Sequence, residues 1–393
     1  MIGCTKLLCG TATVSDALKY GRDTSQTPAR MLQFSTSMRP LVVWNITNRC
    51  NLKCRHCYLS AEDRKYTGEL TTEEAKEFIT DLSEMKAPVL LFSGGEPLLR
   101  RDIFELGRFA VDLNLRVVLS TNGTLITPEV ALKIKDAGFQ YAGISLDGIS
   151  KIHDDFRAMD GAFKASINGM RNCMEIGVKT GVRFTINKFN QDELPKIIDL
   201  VVKEGIPRFC MYHLVYSGRG FGLMSTDTSL KEKREIIEFL VAKTLELHKK
   251  GVEVELLTVD NHADGVYIYN YLKKTDPKRA DEVMQLLRMH GGCSAGTKFA
   301  NVDPLGDVHP CQFWQHDTLG NVKERKFSEI WNDEHNEFLI QLRQKSDLIK
   351  GRCGRCSFKS VCGGCRIRAQ AASNDLWAED PACYLTDEEI NIN

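Results

Sequence analysis

Six short apolar runs recur along the first half of this chain, at 41–46, 88–92, 116–119, 141–146, 181–186 and 208–215, and segments with helical periodicity separate them. Thr71-Thr72-Glu73-Glu74 is a capping-box signature, and the helix it opens sets Ala75, Phe78, Ile79, Leu82 and Met85 on one face. Further helices are expected over 102–113, 163–177 and up to Glu204, and one that Thr127-Pro128 starts and Gly138 ends. Strands that are apolar throughout, alternating with amphipathic helices, make a parallel sheet covered by helical crossovers. Six such units are too few to close an eight-stranded barrel. The expected fold class is therefore α/β, a partial (β/α)6 TIM-like barrel with a lateral opening for a large substrate. In barrel folds the carboxyl ends of the strands carry the active face.

Polar or glycine motifs stand at those ends. After the first strand comes Cys50-x3-Cys54-x2-Cys57. Three thiolates in eight residues can hold three corners of an iron–sulfur cube and leave the fourth iron open to a small molecule. A zinc knuckle with a distant fourth ligand, or three incidental thiols, is the alternative. After the second strand comes Gly94-Gly95-Glu96-Pro97, where glycines let backbone groups approach a ligand, although a plain turn would look the same. Ser120, Asn122, Ser145, Asp147 and Asn187 stand at later strand ends. Each alone reads as a turn or cap residue; together they offer hydrogen bonds to a ribose and an adenine edge.

Composition narrows the classes. The 393 residues balance 52 basic against 52 acidic side chains, so nothing points to nucleic acid or an acidic membrane surface. No apolar run is long enough to span a bilayer, and the first residues lack the pattern of a secretion signal. Fourteen cysteines in a chain this large fit metal ligands in a reducing cytoplasm better than disulfides. Cys173 and Cys210 read as small core residues, and Cys4 and Cys9 as having no role. Four regions are expected. Residues 1–40 form a leader packed on the barrel, with a short helix over 16–22 and apolar contacts from Leu7, Leu8, Leu18, Met31, Leu32 and Phe34. The barrel occupies 41–250. A connector over 251–290 holds one strand at 252–257 and a helical piece at 278–288. A cysteine-rich domain fills 291–393.

That last region carries Cys293, Cys311, Cys353-x2-Cys356-x5-Cys362-x2-Cys365 and Cys383. A four-cysteine zinc ribbon separates its knuckles by roughly a dozen residues or more. Here five separate Cys356 from Cys362, and seven thiolates exceed one tetrahedral site.

The first cysteine motif, with His56 before its third cysteine and Gly-Gly-Glu-Pro at the next strand, resembles the radical S-adenosylmethionine (SAM) superfamily. The resemblance implies that Cys50, Cys54 and Cys57 hold a [4Fe–4S] cluster whose open iron binds SAM. It also implies that His56, Gly94, Gly95, Glu96 and Pro97 form part of the SAM site, with Glu96 on the methionine amino group. Arg157, in His153-Asp154-x2-Arg157, is implied as the anchor of the methionine carboxylate; a surface salt bridge is its alternative. The chemistry expected is reductive cleavage of SAM to a 5′-deoxyadenosyl radical that takes hydrogen from an unactivated carbon.

The distal cysteines resemble a SPASM domain, a module that carries auxiliary clusters. The implied ligands are Cys353, Cys356, Cys362 and Cys383 for one [4Fe–4S] cluster and Cys293, Cys311 and Cys365 for another, so one or two auxiliary clusters are expected. The x2 spacing between Cys362 and Cys365 departs from the usual x3. Leu7-Leu8-Cys9-Gly10-Thr11, Val43-Trp44-Asn45-Ile46-Thr47 and Cys362-Gly363-Gly364-Cys365-Arg366 are similar to the haem-biosynthesis branch. That likeness implies removal of acetate side chains from 12,18-didecarboxysiroheme to give iron-coproporphyrin III. Alternatives are propionate decarboxylation to haem, a haem d1 precursor step and radical peptide maturation; an iron–sulfur carrier would not need Gly-Gly-Glu-Pro. The expected partners are an iron tetrapyrrole and a low-potential electron donor such as ferredoxin or flavodoxin, with no nucleic acid and no membrane. For the substrate, His213 and Arg219 are the catalytic candidates at the exit of the sixth strand, with Arg208, Tyr212, Tyr216, His262, Tyr267 and Tyr269 as further candidates.

Overall fold

The computed structural model describes residues 1–11 and 39–392. Among these, eleven strands form one sheet. In chain order they are β1 (Ile2–Gly3), β2 (Leu41–Asn45), β3 (Leu90–Ser93), β4 (Val117–Thr121), β5 (Tyr141–Ser145), β6 (Lys179–Ile186), β7 (Arg208–His213), β8 (Glu255–Val259), β9 (Phe299–Val302), β10 (Asp307–His309) and β11 (Gly320–Asn321). The six expected strands, β2 to β7, lie side by side in sequence order and pair parallel. Two more parallel strands flank them. β8, expected in the connector, pairs with β7, and β9, from beyond the composition shift at Gly291, pairs with β2. Short antiparallel strands finish both edges, β1 on β8 and then β10 and β11 beyond β9. The two edge strands do not pair with each other, so the sheet stays open.

Side chains alternate across the central strands, and the two faces differ. Val42, Trp44, Leu90, Phe92, Val117, Leu119, Ala142, Ile144, Val182, Phe184, Phe209 and Met211 are buried with Ala75, Phe78, Ile79 and Leu82 of the helix Thr72–Glu84 and with the other crossover helices. Each large apolar side chain fully buried there contributes about 1.5–3 kcal/mol. The inner face divides along its length. Val89, Val118 and Tyr141 form an apolar plug with Leu41 and Leu91 at the amino end. At the carboxyl end the same face carries Ser93, Ser120, Ser145, Arg183, Thr185 and Tyr212, all on one cavity. A register slip of one residue would turn Arg183 and Tyr212 into the helix layer, so burial of the outer face fixes what faces the cavity.

The expected capping box is present: Glu74 N donates to Thr71 Oγ1 at 3.2 Å and Thr71 N donates to Glu74 Oε2 at 2.8 Å. At the start of the leader, the helix Cys4–Cys9 buries Cys4, Leu7 and Leu8. The expected helix over 16–22 and the residues Leu18, Met31, Leu32 and Phe34 lie outside the described residues. The cysteine-rich region is fastened to the barrel's helix layer where Ser328 donates from N and Oγ to Asp81, at 2.8 and 2.6 Å. Among the described residues, no helix is long and apolar enough to cross a membrane.

Candidate active site

The cysteine loop leaves β2 and is clamped from three sides. Gly95 N donates to Thr47 O at 2.7 Å and Glu96 N to Arg49 O at 2.8 Å, so the Gly-Gly-Glu-Pro turn lies directly against it. A Cβ on Gly94 would come within 2.6 Å of Thr47 O, and one on Gly95 within 2.3 Å of Arg49 O. No larger residue fits this approach. Behind the loop, Lys53 N and Arg55 N donate to the carbonyls of Arg157 and Phe156. On the third side Arg219 N donates to Cys57 O at 2.9 Å, while its guanidinium donates to Cys54 O at 2.8 Å and Ala61 O at 3.0 Å.

Cys50, Cys54 and Cys57 all line the cavity at the carboxyl end of the sheet. Burial pushes the Cys50 thiol up to about 12 and raises Cys54, the latter against Arg157, whose Nη1 lies 3.4 Å from Cys54 Sγ. Such thiols ionise only with a cation to hold. Leu52 N donates to Cys50 Sγ at 3.4 Å, the kind of bond that cluster-ligating sulfurs accept. Among the described residues, no three His, Cys, Asp or Glu side chains are drawn together as ligands of a single metal ion would be. The fit to a cluster rests on the donor set, its shared cavity and the adjoining glycines.

His56, Gly94, Gly95, Ser120, Asn122, Ser145 and Arg157 line the same cavity. His56 stacks on Phe156 at 4.8 Å, and burial lowers its pKa to about 4, so the ring is neutral. Asn122 Nδ2 donates to Asn51 Oδ1 at 2.9 Å, tying the end of β4 to the cysteine loop. Arg157 is ion-paired with buried Asp147. Burial would raise Asp147, but the Arg157 guanidinium holds its carboxyl below the ordinary range.

Five of the residues expected to bind SAM or act in catalysis are off the cavity wall. Glu96 is fully buried behind the wall. Its carboxylate accepts from Thr121 Oγ1 at 2.7 Å, Asn122 N at 2.9 Å and Leu98 N at 3.1 Å. It fastens the glycine turn to β4, and burial pushes it up to about 7 against those bonds. Pro97 starts the single turn Pro97–Leu99. Asp147 stands behind Arg157, and Asn187 caps its own turn by accepting from Phe189 N. Arg219 is spent on the loop carbonyls.

Across the cavity stand Arg183, Tyr212, His213, Asp260, Gln312 and Phe313. His213 is buried, and its Nε2 lies 2.9 Å from Asp264 Oδ2, while Nδ1 has no partner. The carboxylate must accept the Nε2 proton, so Nδ1 is the nitrogen left free. Asp264 also accepts from Tyr384 Oη at 2.7 Å. Asp260 holds a left-handed φ of 69° at the end of β8, and burial pushes its carboxyl up to about 6. Of the other substrate candidates, Arg208 pairs with Glu255 and Tyr216 donates to Asp227, and neither reaches the cavity; nor do His262, Tyr267 and Tyr269. Sequence reasoning passed over Arg183, Asp260, Gln312 and Phe313. A charged residue inside an otherwise apolar strand was the available signal for Arg183; Gln312 and Phe313 carried only their position after Cys311.

The distal cysteines fall into two neighbourhoods. The thiols of Cys353 and Cys383 raise the pKa of Cys362, beneath a larger effect of burial, and Cys353 raises that of Cys356. Cys353 and Cys383 also line a second cavity with Arg352 and Asp380, and Arg352 Nη1 lies 3.1 Å from Cys383 Sγ. Cys311 is raised first by burial and then by Cys293, and Cys365 by burial, then Asp380 and then Cys293. Asp380 bridges the two groups. It accepts from Cys365 N at 2.6 Å and from Arg368 at 3.0 and 2.8 Å, while its own N donates to Cys353 Sγ at 3.4 Å. Arg368 also donates to Leu214 O at 3.3 Å, on the cavity rim. Tyr384, next to Cys383, reaches His213 through Asp264. This donor set suits iron–sulfur clusters rather than one zinc ion.

The model of the radical SAM superfamily matches residues 44–201, and that of the SPASM iron–sulfur cluster-binding domain matches residues 293–357. The chain is 51% identical to the Fe-coproporphyrin III synthase of Methanosarcina barkeri, over 99% of each chain. It is 43% identical to the pre-heme d1 synthase of Dinoroseobacter shibae, over 89% of this chain and 87% of that one. It is 36% identical to an AdoMet-dependent heme synthase of Methanosarcina barkeri, over 88% and 97%. Among solved structures, Streptococcus suis SuiB bound to S-adenosylmethionine superposes with a TM-score of 0.70 at 19% identity, over 88% of this chain and 77% of that one. At that identity the likeness concerns the fold.

Proposed function

Since the chain belongs to the radical SAM enzymes with a SPASM domain, in their haem-biosynthesis branch, we propose that it removes the two acetate side chains of 12,18-didecarboxysiroheme to give iron-coproporphyrin III. The observation that carries this reading is the 51% identity to Fe-coproporphyrin III synthase along the whole chain, above the 43% and 36% to the pre-heme d1 and heme synthases.

The family's cofactors are a [4Fe–4S] cluster with SAM and, in the SPASM domain, auxiliary iron–sulfur clusters. When bound, the first cluster and SAM supply a 5′-deoxyadenosyl radical that takes hydrogen from carbon. In this proposal Cys50, Cys54 and Cys57 hold that cluster, and the backbone of Gly94 and Gly95 borders the methionine. Arg157 faces the carboxylate. Ser120, Asn122 and Ser145 hydrogen-bond the nucleoside, and the packed ring of His56 limits where it can lie. Glu96 acts at one remove, by fastening the glycine turn to β4. The tetrapyrrole occupies the far side of the cavity, between the carboxyl ends of β6 and β7 and the Gln312–Phe313 segment. There His213, held by Asp264 at the end of β7, borders the substrate. Arg219 serves the cluster loop and not the chemistry. Cys353, Cys356, Cys362 and Cys383, and separately Cys293, Cys311 and Cys365, are the auxiliary-cluster ligands. A low-potential protein such as ferredoxin or flavodoxin supplies electrons.

Side-by-side anaerobic incubations of reconstituted, reduced enzyme with 12,18-didecarboxysiroheme, iron-coproporphyrin III and a haem d1 precursor, read by mass spectrometry, test the reading. Loss of acetate groups from the first compound is expected. Turnover of another compound with the first left intact would reassign the reaction.

A further inference from the structure

Arg183 is the unexplained charge of the cavity. It projects from the inner face of β6, and its Nη1 donates to Ser120 Oγ at 2.6 Å. Its guanidinium lies over the ring of Tyr212, 4.8 Å from the centroid. The stem crosses β5 at Gly143, where a Cβ would come within 3.0 Å of Arg183 Cδ. The position is thus built: a small residue beneath, an aromatic face alongside and a hydroxyl to brace one nitrogen.

What it lacks is an ion pair: Asp260, on the same cavity, feels the charge of Arg183 but is not paired with it. Among the buried arginines, Arg157 has Asp147, Arg208 has Glu255 and Arg368 has Asp380, while Arg366, away from this cavity, donates to the carbonyls of Leu376 and Ala378. Arg219 is turned to the cysteine loop, where it donates to the carbonyls of Cys54 and Ala61. Among the described residues, Arg183 has no ion pair, and the Ser120 hydroxyl is the one oxygen to which it donates. A guanidinium offers five N–H donors in a planar fork matched to a carboxylate. Withdrawing that charge from water without a counter-ion is costly, so a cation left unpaired in a cavity wall marks where an anionic ligand group sits.

We propose that Arg183 anchors the substrate, binding one rim carboxylate of the tetrapyrrole in the fork braced by Ser120 and Tyr212. This rests on the function proposed above, which supplies a carboxylate-rimmed substrate. SAM also has a carboxylate, but Arg157 stands beside Cys54, whereas Arg183 stands across the cavity on β6.

The test uses the reconstituted holoenzyme and its variants Arg183→Gln and Arg183→Lys, with 12,18-didecarboxysiroheme and its fully methyl-esterified form as probes. Binding is read by visible absorbance titration, and SAM affinity is measured separately. The wild type should prefer the free acid. Arg183→Gln should bind the acid about 10- to 100-fold more weakly, as expected for a charge-assisted hydrogen bond. Its preference for acid over ester should shrink by the same factor, with any loss of SAM affinity, felt through Ser120, several-fold smaller than the loss of acid affinity. Arg183→Lys, which keeps the charge without the fork, should fall between. Should Arg183→Gln fail to load iron, Arg183→Lys carries the comparison. Unaltered acid affinity and preference in the variants overturn the role of Arg183 while leaving the proposed function standing. An equal loss of SAM affinity overturns it in favour of the methionine carboxylate. If the wild type binds neither tetrapyrrole, both proposals fall.

Discussion

Adding one methyl group at Gly95 should separate the cysteine loop from the turn that faces it. The Cβ of Gly95→Ala would meet Arg49 O at 2.3 Å, Arg49 C at 2.6 Å and Asn48 O at 2.9 Å, all backbone atoms with no side-chain freedom. To relieve the shortest contact the two segments must part by about 0.7 Å, the kind of forced shift that overpacking imposes at about 1–3 kcal/mol. The bonds from Gly95 N to Thr47 O and Glu96 N to Arg49 O, now 2.7 and 2.8 Å, would then stretch to the limit of hydrogen bonding. Losing both adds about 0.5–1.5 kcal/mol each. The total expected is about 2–6 kcal/mol in the anaerobic urea unfolding of the protein. Because the shift falls at the ligand loop, SAM cleavage should drop by about 100-fold even where the variant remains folded. Gly222→Ala is the control, since nothing lies within 4 Å of its Cβ and its φ is not in the left-handed region. A Gly95→Ala protein that unfolds and cleaves SAM like Gly222→Ala would refute the close approach.

Removing Arg368, as Arg368→Met, leaves Asp380 buried without its partner, and should cost about 3–5 kcal/mol in urea unfolding and release auxiliary iron; near-wild-type stability would show that the pair is not load-sharing. Asp260, pushed by burial up to about 6, keeps its proton in the fold where the unfolded chain, with the ordinary value of 3.8, has lost it. Its contribution to stability therefore falls as pH rises from 3.8 to about 6 and is constant above. Asp260→Asn should gain on the wild type between urea midpoints taken at pH 4 and pH 7, and a constant difference would contradict this. Cys54→Ala should abolish 5′-deoxyadenosine formation while keeping distal iron, whereas Cys356→Ala should lose distal iron and keep the SAM-binding cluster; unchanged iron in the second variant would break the assignment of its ligand.

The parallel sheet was legible because its outer face is apolar at every second residue and its other positions are small or apolar for most of their length. The same runs concealed the cavity. Arg183 stands between apolar Val182 and Phe184, Tyr212 follows apolar Met211, and only the alternation of faces turns them inward. The cysteine loop and the glycine turn were legible by spacing, since close approach of backbone excludes side chains there. Spacing does not say which way Glu96 points after two glycines; the donors of Thr121, Leu98 and Asn122 turn it away from the ligand. Arg219 stood at a strand exit, as expected of a substrate residue, yet the loop carbonyls of Cys54 and Ala61 claimed it. β9 beside β2, and Gln312 and Phe313 beside the strand ends, join segments far apart in the chain, which no local pattern records.

The proposed function has a radical made at Cys50, Cys54 and Cys57 spent on the acetate groups of a modified sirohaem. It is tested most directly by counting 5′-deoxyadenosine against acetate released, in one anaerobic reaction of the reduced holoenzyme with 12,18-didecarboxysiroheme. Both should appear together with iron-coproporphyrin III, and neither should form in Cys54→Ala. Formation of 5′-deoxyadenosine with the tetrapyrrole recovered intact would contradict it.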